Sequence, residues 1–248
     1  MKRLPMFWSI ALAIAAPASH ADEAAVRATL QRVFPKGTVQ VLAKTPVPGL
    51  FEAVVDGRVF YVTADGRHIL GGPLVDVAAN RNLTQARLEE IDAIPFDSLP
   101  LDWAFKRVKG NGARKLAIFE DPDCPYCKRL EEALQAIDDV TVYVFLYPID
   151  EIHPQAAEKS RGVWCAKDRL KAWDEVLRTG AVPSADTACD NPVDKIVRYA
   201  KQHRINGTPT TVLADGRRLV GAVSSAELEK QLQRAAKARA AAPARKQE

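Results

Sequence analysis

Cys124 and Cys127, separated by Pro125-Tyr126, carry the side chains best suited to chemistry in this chain. Thiols at this spacing can exchange disulfides: a thiolate attacks a disulfide sulfur, a mixed disulfide forms, and a second thiol ends it. The attacking thiol needs a depressed pKa, which a helix N-terminus supplies through its unpaired N–H groups and dipole. Lys115 to Glu120, with the run Leu116-Ala117-Ile118-Phe119, reads as a buried strand, and a charged, apolar-striped helix is expected from Pro125 to about Ile137. The pair therefore sits where a strand hands over to a helix. Cys124 is the expected nucleophile. Pro125 suits the first helical turn, where its missing N–H leaves no bond unmade, and Cys127, one turn on, is the expected resolving thiol.

Other uses of the pair fit less well. A zinc site needs a second short-spaced pair, but Cys165 and Cys189 lie 24 positions apart with no histidine close to either. Haem attachment requires His after the second cysteine, where Lys128 stands. A structural disulfide across so small a loop contributes little stabilisation. No metal or organic cofactor is expected. Cys165 and Cys189 lie in helix-rich sequence without a reactive motif, and in an oxidising compartment they most simply pair with each other as a structural disulfide. His68, His153 and His203 are scattered singles with no role assigned.

The compartment is read at the N-terminus. Lys2 and Arg3 precede an apolar run from Met6 to Ala16, and Ser19-His20-Ala21 supplies the small residues of a cleavage site. The run is too short to span a bilayer, which takes about 20 residues. Residues 1–21 are expected to be a removed signal peptide, leaving a mature chain that begins near Asp22 and is exported, in a bacterium to the periplasm. The chain has 248 residues, enough for one large domain or two small ones. Its formal charge of +4 falls to +2 without Lys2 and Arg3, no electrostatic footprint for nucleic acid.

The expected fold is mixed, α+β followed by α/β. A helix from Ala24 to Phe34 precedes strands at Val39–Leu42, Leu50–Val55, Val59–Thr63 and His68–Gly72, with turns at Asp56-Gly57 and Ala64-Asp65-Gly66. Such a meander has little core of its own; dimerisation or packing on the rest of the chain would both cover it. Thr84–Ile94 reads as a linker helix, and Leu101–Val108 as a further helix-like stretch before Gly110-Asn111-Gly112. After the strand–helix unit come a strand at Val140–Tyr147, helices at Gln155–Asp168, Arg169–Thr179 and Val193–Gln202, strands at Thr210–Leu213 and Arg217–Val220, and a last helix capped by Ser224 and Glu227. The resulting boundaries are 22–80 for the N-terminal domain, 81–108 for the linker region, 109–236 for the catalytic domain and 237–248 for a disordered tail. Pro209, just before a strand, reads as an ordinary trans residue.

The stretch Phe119 to Lys128, of pattern F-x-D-P-x-C-P-Y-C-K, together with Gly207-Thr208-Pro209, resembles the thioredoxin superfamily, and more narrowly its DsbC/DsbG family of bacterial periplasmic disulfide isomerases. Trp164-Cys165-Ala166 and Ala188-Cys189-Asp190 fall in the expected order, so the resemblance covers nearly the whole mature chain. It implies a cystatin-like N-terminal dimerisation domain and a thioredoxin-like catalytic domain with a helical insertion. It further implies a V-shaped homodimer, a redox-active Cys124–Cys127 pair, a structural Cys165–Cys189 disulfide and a cis Pro209. Thr208 and Pro209, beside Pro125 and Tyr126, would hold substrate backbone. Misoxidised secreted proteins would be the substrates and the membrane-anchored protein DsbD the reductant. Pro125-Tyr126 departs from the Gly-Tyr usual in the isomerases and is shared with DsbG-like reductases of oxidised single cysteines, whereas the second cysteine pair favours the isomerases. Two other classes remain open: a chaperone with incidental cysteines, and a monomeric oxidase.

Overall fold

The structure is a computed structural model that describes residues 19–183 and 188–241. Most of the leader assigned to residues 1–21 lies outside the described residues, and the first helix begins within it. The chain divides into two compact units, Met1–Leu88 and Glu89–Glu248.

The first unit lays helix α1 (Ser19–Val33) on a four-stranded antiparallel sheet in the order β1 (Val39–Lys44), β2 (Leu50–Val55), β3 (Arg58–Thr63), β4 (Ile69–Gly71). Asp56 and Gly57 both have positive φ, 49° and 75°, the geometry a two-residue hairpin with right-handed strand twist demands. Val26 and Leu30 of α1 close over Phe51, Ala53, Val55 and Val62. Gly66 lets the helix approach: a Cβ there would lie 2.8 Å from the Ala25 carbonyl oxygen, and Thr29 Oγ1 donates to Gly66 O at 2.6 Å. A small hairpin follows that the sequence reading lacked, β5 (Val75–Asp76) with β6 (Arg81–Asn82), and then helix α2 (Leu83–Ile91).

The second unit is built on a five-stranded sheet. In chain order its strands are β7 (Phe105–Lys109), β8 (Arg114–Glu120), β9 (Val140–Leu146), β10 (Thr210–Leu213) and β11 (Arg218–Val220); in space the order is β11-β10-β8-β9-β7. Only β8 and β9 run parallel, joined across α3 (Pro125–Leu134); the other pairings are antiparallel. Helices α4 (Ala156–Cys165), α5 (Arg169–Thr179) and α6 (Val193–Gln202) separate β9 from β10, and α7 (Ser225–Ala241) ends the described chain. Both faces of the sheet are covered. Leu116 and Ile118 point into a core with α3, α4, α5 and α7, whereas Ala117 and Phe119 point into a second core with Ile196, Ala200 and Ile205. A strand buried on both faces must read as an unbroken apolar run, which Leu116 to Phe119 does. No described helix is long and apolar enough to cross a membrane.

Three expectations are corrected. Leu101–Val108 is not helical beyond the single 3-10 turn Leu101–Trp103; β7 pairs with β9 from Phe105↔Val144 to Lys109↔Val140. Its signal is period two: Phe105, Arg107 and Lys109 turn inward while Lys106 and Val108 are exposed, and one buried apolar residue is too weak a pattern to announce a strand. The sheet of the second unit therefore starts upstream of residue 109, and the compact unit itself starts at Glu89. The helix near the C-terminus also outlasts its apolar stripe, running through Ala241, with Ala235 buried and Arg239 paired to Asp97 at 3.1 Å. Alanine-rich sequence is intrinsically helical, and that ion pair ties it down. The rest of the expected tail, 242–248, lies outside the described residues.

Candidate active site

Strand β8 delivers the chain to the turn Asp121-Pro122-Asp123, and α3 begins directly after Cys124. Cys124 is the N-cap residue, with extended dihedrals (φ −75°, ψ 119°), and Pro125 occupies the first turn. The Cys127 and Lys128 N–H groups donate to Cys124 O at 3.1 and 3.3 Å, so helix formation itself fixes the cysteine at the helix entrance.

Both cysteines are free thiols, Cys124 4 % exposed and Cys127 fully buried. Their acidities diverge. A hydrogen bond from the Cys127 thiol, helped by Thr208 and by the Cys127 and Tyr126 N–H groups, holds the Cys124 pKa down at about 5 against the opposing effect of burial. Burial, the hydrogen bond it gives to Cys124 and the nearby Glu120 push the Cys127 thiol far up. At neutral pH Cys124 is a thiolate and Cys127 a thiol.

The loop before β10 closes over the pair. The Thr208–Pro209 peptide bond is cis, as the family resemblance implied and contrary to the reading from spacing. Cys124, as a thiol, donates to Thr208 O at 3.4 Å. Gly221 N–H donates to Pro209 O at 2.8 Å, and Thr210 Oγ1 to Gly207 O at 2.7 Å, which pin the loop from both sides. Pro125 and Tyr126 are the exposed members of the site, Tyr126 54 % accessible with the Arg129 guanidinium 5.2 Å from its ring centre.

Sequence reasoning missed the acids behind and beside the thiols. Glu120, at the end of β8, is fully buried beside the Glu131 carboxylate. Burial, with the Glu131 carboxylate next, raises its pKa well above the ordinary range, while Arg107 opposes. Glu131 stands four residues after Cys127 on the same buried face of α3; Arg107 Nη2 meets its two oxygens at 2.7 and 2.6 Å, and Trp173 Nε1 donates at 3.2 Å. The i,i+4 spacing of Cys127 and Glu131 was the available signal. Asp121 is likewise fully buried, and Lys159, itself buried, reaches Asp123 Oδ1 at 2.5 Å.

The structure thus brings together Cys124, Pro125, Tyr126, Cys127, Thr208 and Pro209. Cys165 and Cys189 are set apart from that group and bonded to each other, with Cα atoms 5.8 Å apart, tying the end of α4 to the segment before α6.

Two family models match in order along the chain: a disulfide bond isomerase protein N-terminal domain over residues 17–85 and a thioredoxin-like domain over residues 101–236. A probable thiol:disulfide interchange protein DsbC of Bordetella avium is 41% identical over 210 residues, 85% of this chain and 74% of its own. The thiol:disulfide interchange protein DsbC of Escherichia coli K12 is 28% identical over 203 residues, 80% of this chain and 82% of its own. Among solved structures, a disulfide interchange protein from Neisseria gonorrhoeae superposes with a TM-score of 0.52 at 44% identity, covering 55% of this chain and 97% of that one. With both halves matched in sequence order and a relative this similar over most of both chains, the protein belongs to the DsbC family of thiol:disulfide interchange proteins.

Proposed function

We propose that this protein isomerises and reduces incorrect disulfides in other proteins, with Cys124 attacking and Cys127 resolving. The opposite acidities of the two adjacent thiols support this reading above all, because they divide attack from resolution before any substrate arrives. The Cys124 thiolate displaces one sulfur of a substrate disulfide, forming a mixed disulfide and releasing a substrate thiolate. If another substrate thiolate displaces Cys124, the substrate disulfide is rearranged and no electrons are lost. If Cys127 displaces the substrate, its proton leaves, the substrate departs reduced, and a Cys124–Cys127 disulfide remains that an external dithiol must reduce. DsbD is the proposed reductant, the periplasm the compartment, and misoxidised secreted proteins the substrates.

The closeness of the Thr208 carbonyl to Cys124, 3.4 Å, supports a role for Thr208 and Pro209 in holding extended substrate backbone beside the nucleophile, together with the exposed Pro125 and Tyr126. The Cys165–Cys189 bond fits a structural role. The first unit is proposed as the dimerisation domain and the second as the catalytic one. The Pro125-Tyr126 dipeptide favours one further reading, a DsbG-like reductase of oxidised single cysteines.

Refolding of a scrambled multi-disulfide protein tests the proposal. The wild-type protein should speed recovery and Cys124→Ala should abolish the effect, whereas unchanged rescue by Cys124→Ala would overturn it. Faster turnover of a protein sulfenic acid than of scrambled disulfides would favour the DsbG-like reading.

A further inference from the structure

Asp121 is fully buried and both its carboxyl oxygens are engaged. Oδ1 accepts the Asp123 N–H at 2.8 Å, which closes the turn into Cys124, and the Cys124 N–H donates to the Asp121 carbonyl at 3.1 Å. Oδ2 accepts the Ile149 N–H at 2.7 Å and lies 3.0 Å from His153 Nδ1, a close approach without a hydrogen bond. The Asp121 N–H faces the Cys127 sulfur. One carboxylate therefore joins the segment that presents the nucleophile to residues 149–153, the loop between β9 and α4.

That loop is anchored independently of the cysteines. At its start the Tyr147 N–H donates to Glu120 O at 2.7 Å and the Tyr147 hydroxyl to Ile205 O at 3.0 Å; at its end Asp150 Oδ1 accepts the Ala157 N–H at 3.2 Å. Lys159, one turn into α4, holds Asp123 from the same side. The titratable groups facing the turn and its cysteine are thus Glu120, Asp121, Asp123, Cys127, His153 and Lys159.

We infer that Asp121, held by the Ile149 N–H with His153 packed beside it, is a positioning residue for the nucleophile: it sets Cys124 against the first N–H groups of α3 and couples its reactivity to the loop at 149–153. The inference rests on Cys124 being the reactive thiolate. It goes beyond that reading by assigning the geometry of the site to a residue that touches neither substrate nor sulfur with its side chain.

The sign of one substitution separates positioning from simple electrostatics. Were Asp121 only a nearby negative charge, Asp121→Asn would make Cys124 more acidic. Asparagine keeps one acceptor oxygen and turns the other into a donor, so it must lose either the Asp123 or the Ile149 N–H, and the turn loosens. Positioning therefore predicts the opposite sign. The test is titration of thiolate absorbance with pH in the full reduced chain, alongside the alkylation rate of Cys124. In Asp121→Asn the midpoint should rise from about 5 by about one unit, with alkylation below the midpoint slowed about tenfold. His153→Ala, at a partly exposed position, should move both in the same direction by a smaller amount. A folded Asp121→Asn protein with an unchanged or lower midpoint overturns the inference. If Asp121→Asn does not fold, an unmoved midpoint in His153→Ala overturns it instead. A wild-type protein without the low midpoint would instead undo the assignment of Cys124, a different outcome from either.

Discussion

Two buried groups a few residues apart shift in opposite directions, and their signs make pH a probe of the site. Cys124 has a folded pKa near 5 and an unfolded value of about 8.5, so its contribution to the reduced protein is complete above the unfolded value and is lost as pH falls through about 5. Glu120 has its folded pKa raised, so its contribution is complete below about 4.3 and is lost as pH rises through the folded value. Where both windows overlap, each group gives a slope of about 1.4 kcal/mol per pH unit, and the two oppose each other. Within that overlap, which opens just above pH 5, urea unfolding of the reduced protein should therefore show a more positive slope with pH in Glu120→Gln than in wild type, and a more negative one in Cys124→Ser. Parallel profiles for the three proteins would refute both assignments. Cys124 and Cys127 were legible in the sequence because a strand run and a proline place them at a helix entrance without any tertiary information. Glu120, Asp121, Glu131 and His153 were not, because each acts through a partner distant in sequence: Glu131 through Arg107 and Trp173, Asp121 through Ile149 and His153.

Among the elements, those whose pattern is set by burial on a regular period could be read directly. Helices α5 and α6 fall on the expected residues, as does β2, and the Asp56-Gly57 turn lies where expected. Strand β7 was misread because it lies at the edge of its sheet, where one face meets solvent and only Phe105 is buried. Where α7 ends was equally illegible, since Arg239 is held by Asp97, 142 positions away. The insertion of α4 and α5 shows what a cross-link adds to elements that pack on a sheet. Cys165 and Cys189 close a loop across a separation of 24 residues, and in the chain-entropy model that stabilises by about 3 kcal/mol. Replacing both by serine should lower the unfolding free energy by about that amount while leaving the Cys124 thiolate titration in place, because the bond belongs to the scaffold and not to the reacting pair. A shifted titration midpoint in the double serine variant would show that the insertion helps to set the site.

At the scale of the whole molecule, the two units differ in what they can bury alone. The second has a sheet covered on both faces, whereas the first has one helix over one face of a sheet whose outer strand, β4, is three residues long with Leu70 half exposed. A unit so small is marginal by itself, and pairing with a second copy would supply the missing burial. The proposed dimer would make good that deficit, and it would give one particle two copies of the Cys124 site. A single site suffices to reduce a small disulfide, but rearranging several bonds in one misfolded chain gains when a second site engages the same substrate at high effective concentration. A chain beginning at Asp22 should sediment as a dimer, and a chain beginning at Glu89 as a monomer that keeps the Cys124 titration and reduces a small aromatic disulfide within about twofold of the longer chain. Its recovery of a scrambled multi-disulfide protein should fall by about tenfold or more, toward the low end of what linking two sites contributes. A monomeric full chain, or a truncated chain that isomerises as well as the whole, would remove the first unit from the mechanism.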